Sequence, residues 1–99
     1  MNREQEVILI AQIRAKQNKY IELKKELTIL VKQTQAESGC QQFELHQAER
    51  EPHLFILWEC FINQSAFELH MQQAYTKTYF ELVKPKLTES TNSIRLNKV

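Results

Sequence analysis

Ninety-nine residues, 42% hydrophobic and 25% charged, suit one soluble domain spanning residues 1–99. A chain of this length hides roughly two thirds of its unfolded surface, enough for a modest core without disulfides or metal. A formal net charge of +1 gives no electrostatic case for nucleic acid or an anionic membrane, and apolar runs such as Leu54 to Trp58 are far too short to span a bilayer. The opening MNREQEV carries no hydrophobic leader, so the cytoplasm is the expected compartment. There, Cys40 and Cys60 read as small buried hydrophobes. They form no CxxC pair and no cluster of zinc-ligand spacing, so no metal is expected.

VILIAQIRA, residues 7–15, is rich in β-branched residues and reads as a strand apolar on both faces. Asn18 is placed to cap a helix over residues 19–37, in which Tyr20, Leu23, Leu27, Leu30 and Val31 form one apolar stripe. Gly39, the sole glycine, is expected to end that helix in a left-handed conformation. CQQFELHQ, residues 40–47, alternates Phe43 and Leu45 with polar neighbours and predicts a half-wet second strand. AEREP is a polar turn, with Pro52 excluded from a central strand, and residues 53–61 form the third strand of a hairpin. A symmetric register would set Cys40 opposite Cys60, although a one-residue slip breaks it.

Asn63 caps the next helix, with Ile62 and Phe67 placed for a hydrophobic staple. Ala66, His70 and Ala74 share one face. The pattern blurs at QQAYTKT, resumes as a short helix over residues 79–84 and closes near Pro85. SIRLNKV supplies a fourth strand with Ile94 and Leu96 on one face. The order β-α-β-β-α-β predicts an α+β, ferredoxin-like split βαβ domain with a four-stranded antiparallel sheet.

Strand parity carries the functional reading. Leu54, Ile56, Trp58 and Cys60 share one face of the third strand, and Phe55, Leu57, Glu59 and Phe61 the other. One face packs on the helices. The other needs a cover this chain lacks, which predicts a homodimer packed sheet to sheet, with Trp58 in its core. Glu59 then falls on the helix-covered face, where a carboxylate is costly unless paired or solvated; Arg14 and Arg95 are candidate partners. His70 looks toward the sheet from its helix, so acid and imidazole are expected to line one cleft. His46 and His53 flank the hairpin turn and are expected to face solvent.

ESGCQQFEL followed by FILWECFINQSAFELH resembles the antibiotic biosynthesis monooxygenase (ABM) family, whose pattern runs as a helix ending in E-x-G-C, a hairpin, a strand ending in E-x-W and a helix ending in His. The likeness extends from about Val7 to Val99. It implies a dimeric α+β barrel, and a family whose members include cofactor-independent monooxygenases of quinols and polyketides, haem-degrading oxygenases and an isomerase of a phosphorylated autoinducer. Glu59 and His70 match the family's glutamate and histidine. Phe61 replaces its tryptophan, and Tyr75 stands where a histidine is frequent. The haem-cleaving pattern of Asn, Trp and His reads here as Ile13, Phe61 and Tyr79 or Phe80, which argues against haem chemistry of that kind.

The resemblance thus implies oxygenation of a small aromatic quinol or phenol, with no cofactor. His70 is the candidate base, Glu59 orients it or binds substrate, and Phe61, Phe67, Tyr75 and Tyr79 wall the pocket. A non-catalytic dimeric module for small apolar ligands is an alternative. So is an isomerase of a phosphorylated metabolite, for which the sequence offers only scattered lysines and arginines.

Overall fold

A computed structural model describes residues 5–99; residues 1–4, which begin the MNREQEV stretch, lie outside it. Strand β1, Val7–Ala15, leads to helix α1, Tyr20–Gln35. Strands β2, Cys40–Ala48, and β3, Glu51–Phe61, form the hairpin. Helices α2, Gln64–Gln72, and α3, Ala74–Thr78, run into a π-helical turn, Tyr79–Val83, then α4, Lys84–Leu87, and strand β4, Thr88–Leu96. All strand pairings are antiparallel in the order β2-β3-β1-β4, the ferredoxin-like arrangement the sequence predicts. Among the described residues, no helix is long and apolar enough to cross a membrane.

Parity sorts the sheet as expected. Val7, Ala11, Ile13, Phe43, Phe55, Leu57 and Phe61 are buried beneath the helices, against Leu23, Leu27 and Leu30 of α1. Full burial of each of these side chains larger than alanine contributes about 1.5–3 kcal/mol. The opposite face carries Ile8, Ile10, Ile56 and Trp58 half-buried, with Ile94 45% exposed. Trp58 Nε1 donates to Gln42 Oε1 at 2.7 Å on that face.

Several local expectations are corrected. Asn18 does not cap α1; it takes a left-handed φ of 64°, and Lys19 occupies the cap without a side-chain bond. The helix stops at Gln35, short of Glu37. Pro52 lies inside β3, not in the turn. This is tolerated because β1 pairs with β3 only from Leu54 onward, so Pro52 has one strand neighbour, next to an irregularity in register. Pro85 does not close a helix. It sits in the first turn of α4, and because it cannot donate to the carbonyl four residues back, the preceding turn widens to π geometry. Strand β4 begins at Thr88, before the Ser93 expected. Asn63 does cap α2, its Oδ1 accepting from Ala66 N–H at 2.8 Å. Ile62 is 43% exposed, while Phe67 meets Phe61 edge to face at 5.7 Å.

The hairpin register is offset by one, so Cys40 pairs with Phe61 and Gln42 with Cys60. The two cysteines thereby fall on opposite faces, and both are free thiols.

Gly39 has no positive φ, so it is not a left-handed helix terminator. Its role is close approach. A Cβ there would lie 2.4 Å from Ala66 Cβ on α2, while its carbonyl accepts Ile62 N–H at 2.9 Å. Gly39→Ala is expected to cost about 1–3 kcal/mol by overpacking. Adding Ala66→Gly should recover most of that, less about 1 kcal/mol of helix propensity. Urea midpoints of the single and double variants check both values.

Candidate active site

The tight seat of Gly39 on Ala66 has a consequence four residues on. His70 is one helical turn beyond Ala66, and Glu37 is two residues before Gly39. Docking the turn onto α2 brings them together: His70 Nδ1 lies 2.9 Å from Glu37 Oε2. Both side chains are largely buried, at 5% and 11% exposure. A carboxylate only accepts, so Nδ1 must carry the proton in this pair. Nε2 is left as the nitrogen available to chemistry. The ring is held between Phe61, at 4.9 Å, and Phe43, at 5.6 Å between centroids. Tyr75 donates its hydroxyl to the same Glu37 Oε2 and also reaches the Gln33 carbonyl at 3.2 Å. Burial, then the bond to Glu37, raises the Tyr75 phenol above its ordinary range.

His70 and Glu59 line one cavity of about 310 Å³ between the sheet and the helices. Its walls are mainly apolar, from Leu9, Ala11, Leu57, Phe67, Met71 and Phe80 among others. Burial alone lifts the Glu59 carboxyl from an ordinary 4.5 to about 7. Neither candidate arginine pairs with it: Arg14 lies 3.5 Å from Glu51, and Arg95 donates to Gln64 Oε1 at 2.7 Å. The Tyr79 phenol, also in the cavity wall, is pushed up to about 12 by burial and by Glu59. The cavity is thus a mainly apolar space lined by an imidazole with a fixed Nδ1 partner and by a carboxyl whose burial favours its protonated form.

Of the residues singled out in the sequence, His70, Glu59, Phe67 and Tyr79 meet at this cavity. Phe61 is fully buried against the His70 ring and does not line it. Tyr75 faces Glu37 rather than the cavity. His46, 3.7 Å from Glu44, is exposed, and His53 packs on the Tyr20 ring at 4.9 Å. A wider groove of about 660 Å³ between α1 and β2 holds neither His70 nor Glu59. Glu37 was missed as a functional residue, although it opens the ESGC stretch.

A ferredoxin-like sheet roofed by helices, with an imidazole and a carboxyl lining one small hollow, defines an α+β domain with a cavity between its two layers. The model of the antibiotic biosynthesis monooxygenase family matches residues 6–82, and the chain belongs to that family. Its fold is similar to protein SO0527 of Shewanella oneidensis, 28% identical, over 96% of this chain and 92% of that one, with a TM-score of 0.91. It is also similar to PA3566 of Pseudomonas aeruginosa, 27% identical over 100% and 99% of the two chains, with a TM-score of 0.92. A crystal structure described as an antibiotic biosynthesis monooxygenase, 17% identical, matches 94% of this chain and 98% of its own at a TM-score of 0.86, a likeness of fold alone. Among curated proteins none matches the sequence. Family membership sets a general monooxygenase-like role.

Proposed function

We propose that this protein is a cofactor-independent monooxygenase of a small aromatic quinol or phenol, with His70 as base. The reading is supported by the Glu37–His70 pair, which commits Nδ1 and leaves Nε2 without that partner on a residue that lines a mainly apolar cavity. Nε2 takes the phenolic proton. The resulting electron-rich anion gives one electron to O₂, superoxide recombines with the substrate radical at a ring carbon that bears hydrogen, and the peroxide anion takes the proton back from His70 to form a hydroperoxide. Loss of water leaves a carbonyl at that carbon, so one oxygen atom enters the product and the other leaves as water. Apolar walls keep the radical pair together and exclude bulk solvent. Glu59, whose burial raises it well above the ordinary carboxyl range, orients the substrate oxygen as donor or acceptor.

The test is O₂ uptake by the pure protein over a panel of quinols and phenols, with a chelator present. Uptake that survives chelation and is lost in His70→Ala supports the enzyme. Binding without uptake across the panel would instead make the protein a ligand-binding module.

The assembly belongs to the same proposal. The open sheet face is covered by a second copy, packed face to face to form the α+β barrel. Ile10 and Ile94, paired across β1 and β4, lie near its middle. Sedimentation at micromolar concentration should give a dimer, and Ile10→Asp should give monomer.

A further inference from the structure

Among the described residues that line the cavity of His70 and Glu59, only Phe80 and Ser93 are exposed, so the cavity opens between the π-helical turn and β4. Ser93 is level with Ala11, which is buried beneath the helices, so it lies on the helix side of the edge strand β4. Phe80, 42% exposed, forms the opposite lip. A cation sits at this opening. Lys84 lines the cavity, half-buried, with its Nζ 5.3 Å from the centroid of the Phe80 ring. The π turn sets that position: the Lys84 N–H reaches back to the Tyr79 carbonyl, and Lys84 stands one turn on from Phe80.

Lys84 is the one lysine or arginine among the described residues that line this cavity. No carboxylate among the described residues pairs with it; the ion pairs of lysine and arginine engage Arg14, Lys86 and Lys98 instead. The Phe80 ring holds the ammonium by its quadrupole but neutralises no charge. At the rim of a mainly apolar space, that charge is screened less than it would be in open water. The Glu59 end has the opposite character. Glu59 is level with Leu9, two residues along β1 from Ala11, and β3 and β4 flank β1. Glu59 and Ser93 therefore lie about 7 Å apart along the strands and about 10 Å across them. An acid beside Glu59 would be repelled, and beside Lys84 attracted. A ligand with one acidic arm thus has one favourable orientation, the acid outward and its uncharged donor inward. One ammonium balances one negative charge, which suits a carboxylate better than a phosphate dianion.

We infer that Lys84 is a specificity-determining residue, pairing at the mouth of the cavity with the carboxylate of a small acid. The inference rests on the proposed function only in placing a small ligand in the cavity; it requires no oxygenation.

Calorimetric binding under argon tests it without turnover. The probes are 3-(4-hydroxyphenyl)propanoate and its amide, which match in shape and differ in charge. The wild-type protein should bind the acid roughly tenfold more tightly, the equivalent of one charge-assisted hydrogen bond. Raising the ionic strength from about 0.01 M to about 1 M shortens the Debye length from about 30 Å to about 3 Å and should shrink the preference. Lys84→Met should abolish it and leave amide affinity unchanged, whereas Lys84→Arg should keep it. Lys86→Met removes the same charge outside the cavity lining and should leave the preference intact. Urea midpoints confirm that the variants remain folded. Equal binding of the two probes by the wild-type protein, a preference that survives Lys84→Met, one lost equally in Lys86→Met, or failure of both probes to bind overturns the assignment. Its failure is separable from that of the oxygenase reading: the preference can persist with no O₂ uptake, and uptake can occur with no preference.

Discussion

His70→Ala should lower the rate of O₂ uptake by about 10²–10⁴-fold, the usual contribution of a positioned general base. Glu37→Gln should produce a smaller loss, roughly 10–100-fold, for a different reason. Glu37 does not line the cavity, so it acts as a positioning residue through the 2.9 Å contact to Nδ1. A carboxylate forces the proton onto Nδ1 and leaves the Nε2 lone pair free. A glutamine can present its amide N–H₂ to Nδ1 instead, which moves the ring proton to Nε2 and blocks proton abstraction. The readout that separates this from a folding defect is a fall in kcat with KM unchanged, in a variant whose urea midpoint matches the wild type. A proportional rise in KM would mean that Glu37 shapes the pocket rather than the base. Tyr75→Phe removes the second donor to Glu37 Oε2 but leaves the His70 contact in place, and it should cost less than Glu37→Gln.

How much of this was legible in the chain follows the range of each interaction. Strand parity placed Glu59 on the helix-covered face, because alternation is a local property of β3. The stripe of Leu23, Leu27 and Leu30 and the Asn63 cap were legible for the same reason. Glu37 was not, because its partners His70 and Tyr75 lie 33 and 38 residues away and meet it only when the turn docks on α2. The position of Gly39 just past the apolar stripe suggests only a helix terminator. Its actual constraint is a methyl group on another helix. Tyr79, expected as a pocket wall, does line the cavity, but the family likeness and not periodicity pointed to it, since a π turn changes the helical phase there. Phe61 and Tyr75, expected as pocket walls, instead support the imidazole from behind and hold its carboxylate.

Glu59→Gln should raise stability at pH 8 by up to about 3 kcal/mol and change it little at pH 4. In the unfolded chain this carboxyl titrates near 4.5, and in the folded chain near 7. Between those values the folded protein holds a proton that the unfolded chain has released. Stability fully present below pH 4.5 is therefore lost as pH rises through 7. At about 1.4 kcal/mol per pH unit, the interval amounts to about 3 kcal/mol. Glutamine mimics the protonated acid and does not titrate, so the variant should keep at pH 8 what the wild type loses. Urea titrations at pH 4 and pH 8 check this, and equal midpoint shifts at both pH values would mean that Glu59 is solvated or paired in solution. The same proton bears on the site. A carboxyl that is destabilising when ionised and unpaired gains most from a ligand that donates to it. Saturating a diol ligand should therefore narrow the stability gap between wild type and Glu59→Gln at pH 8 and leave it unchanged at pH 4.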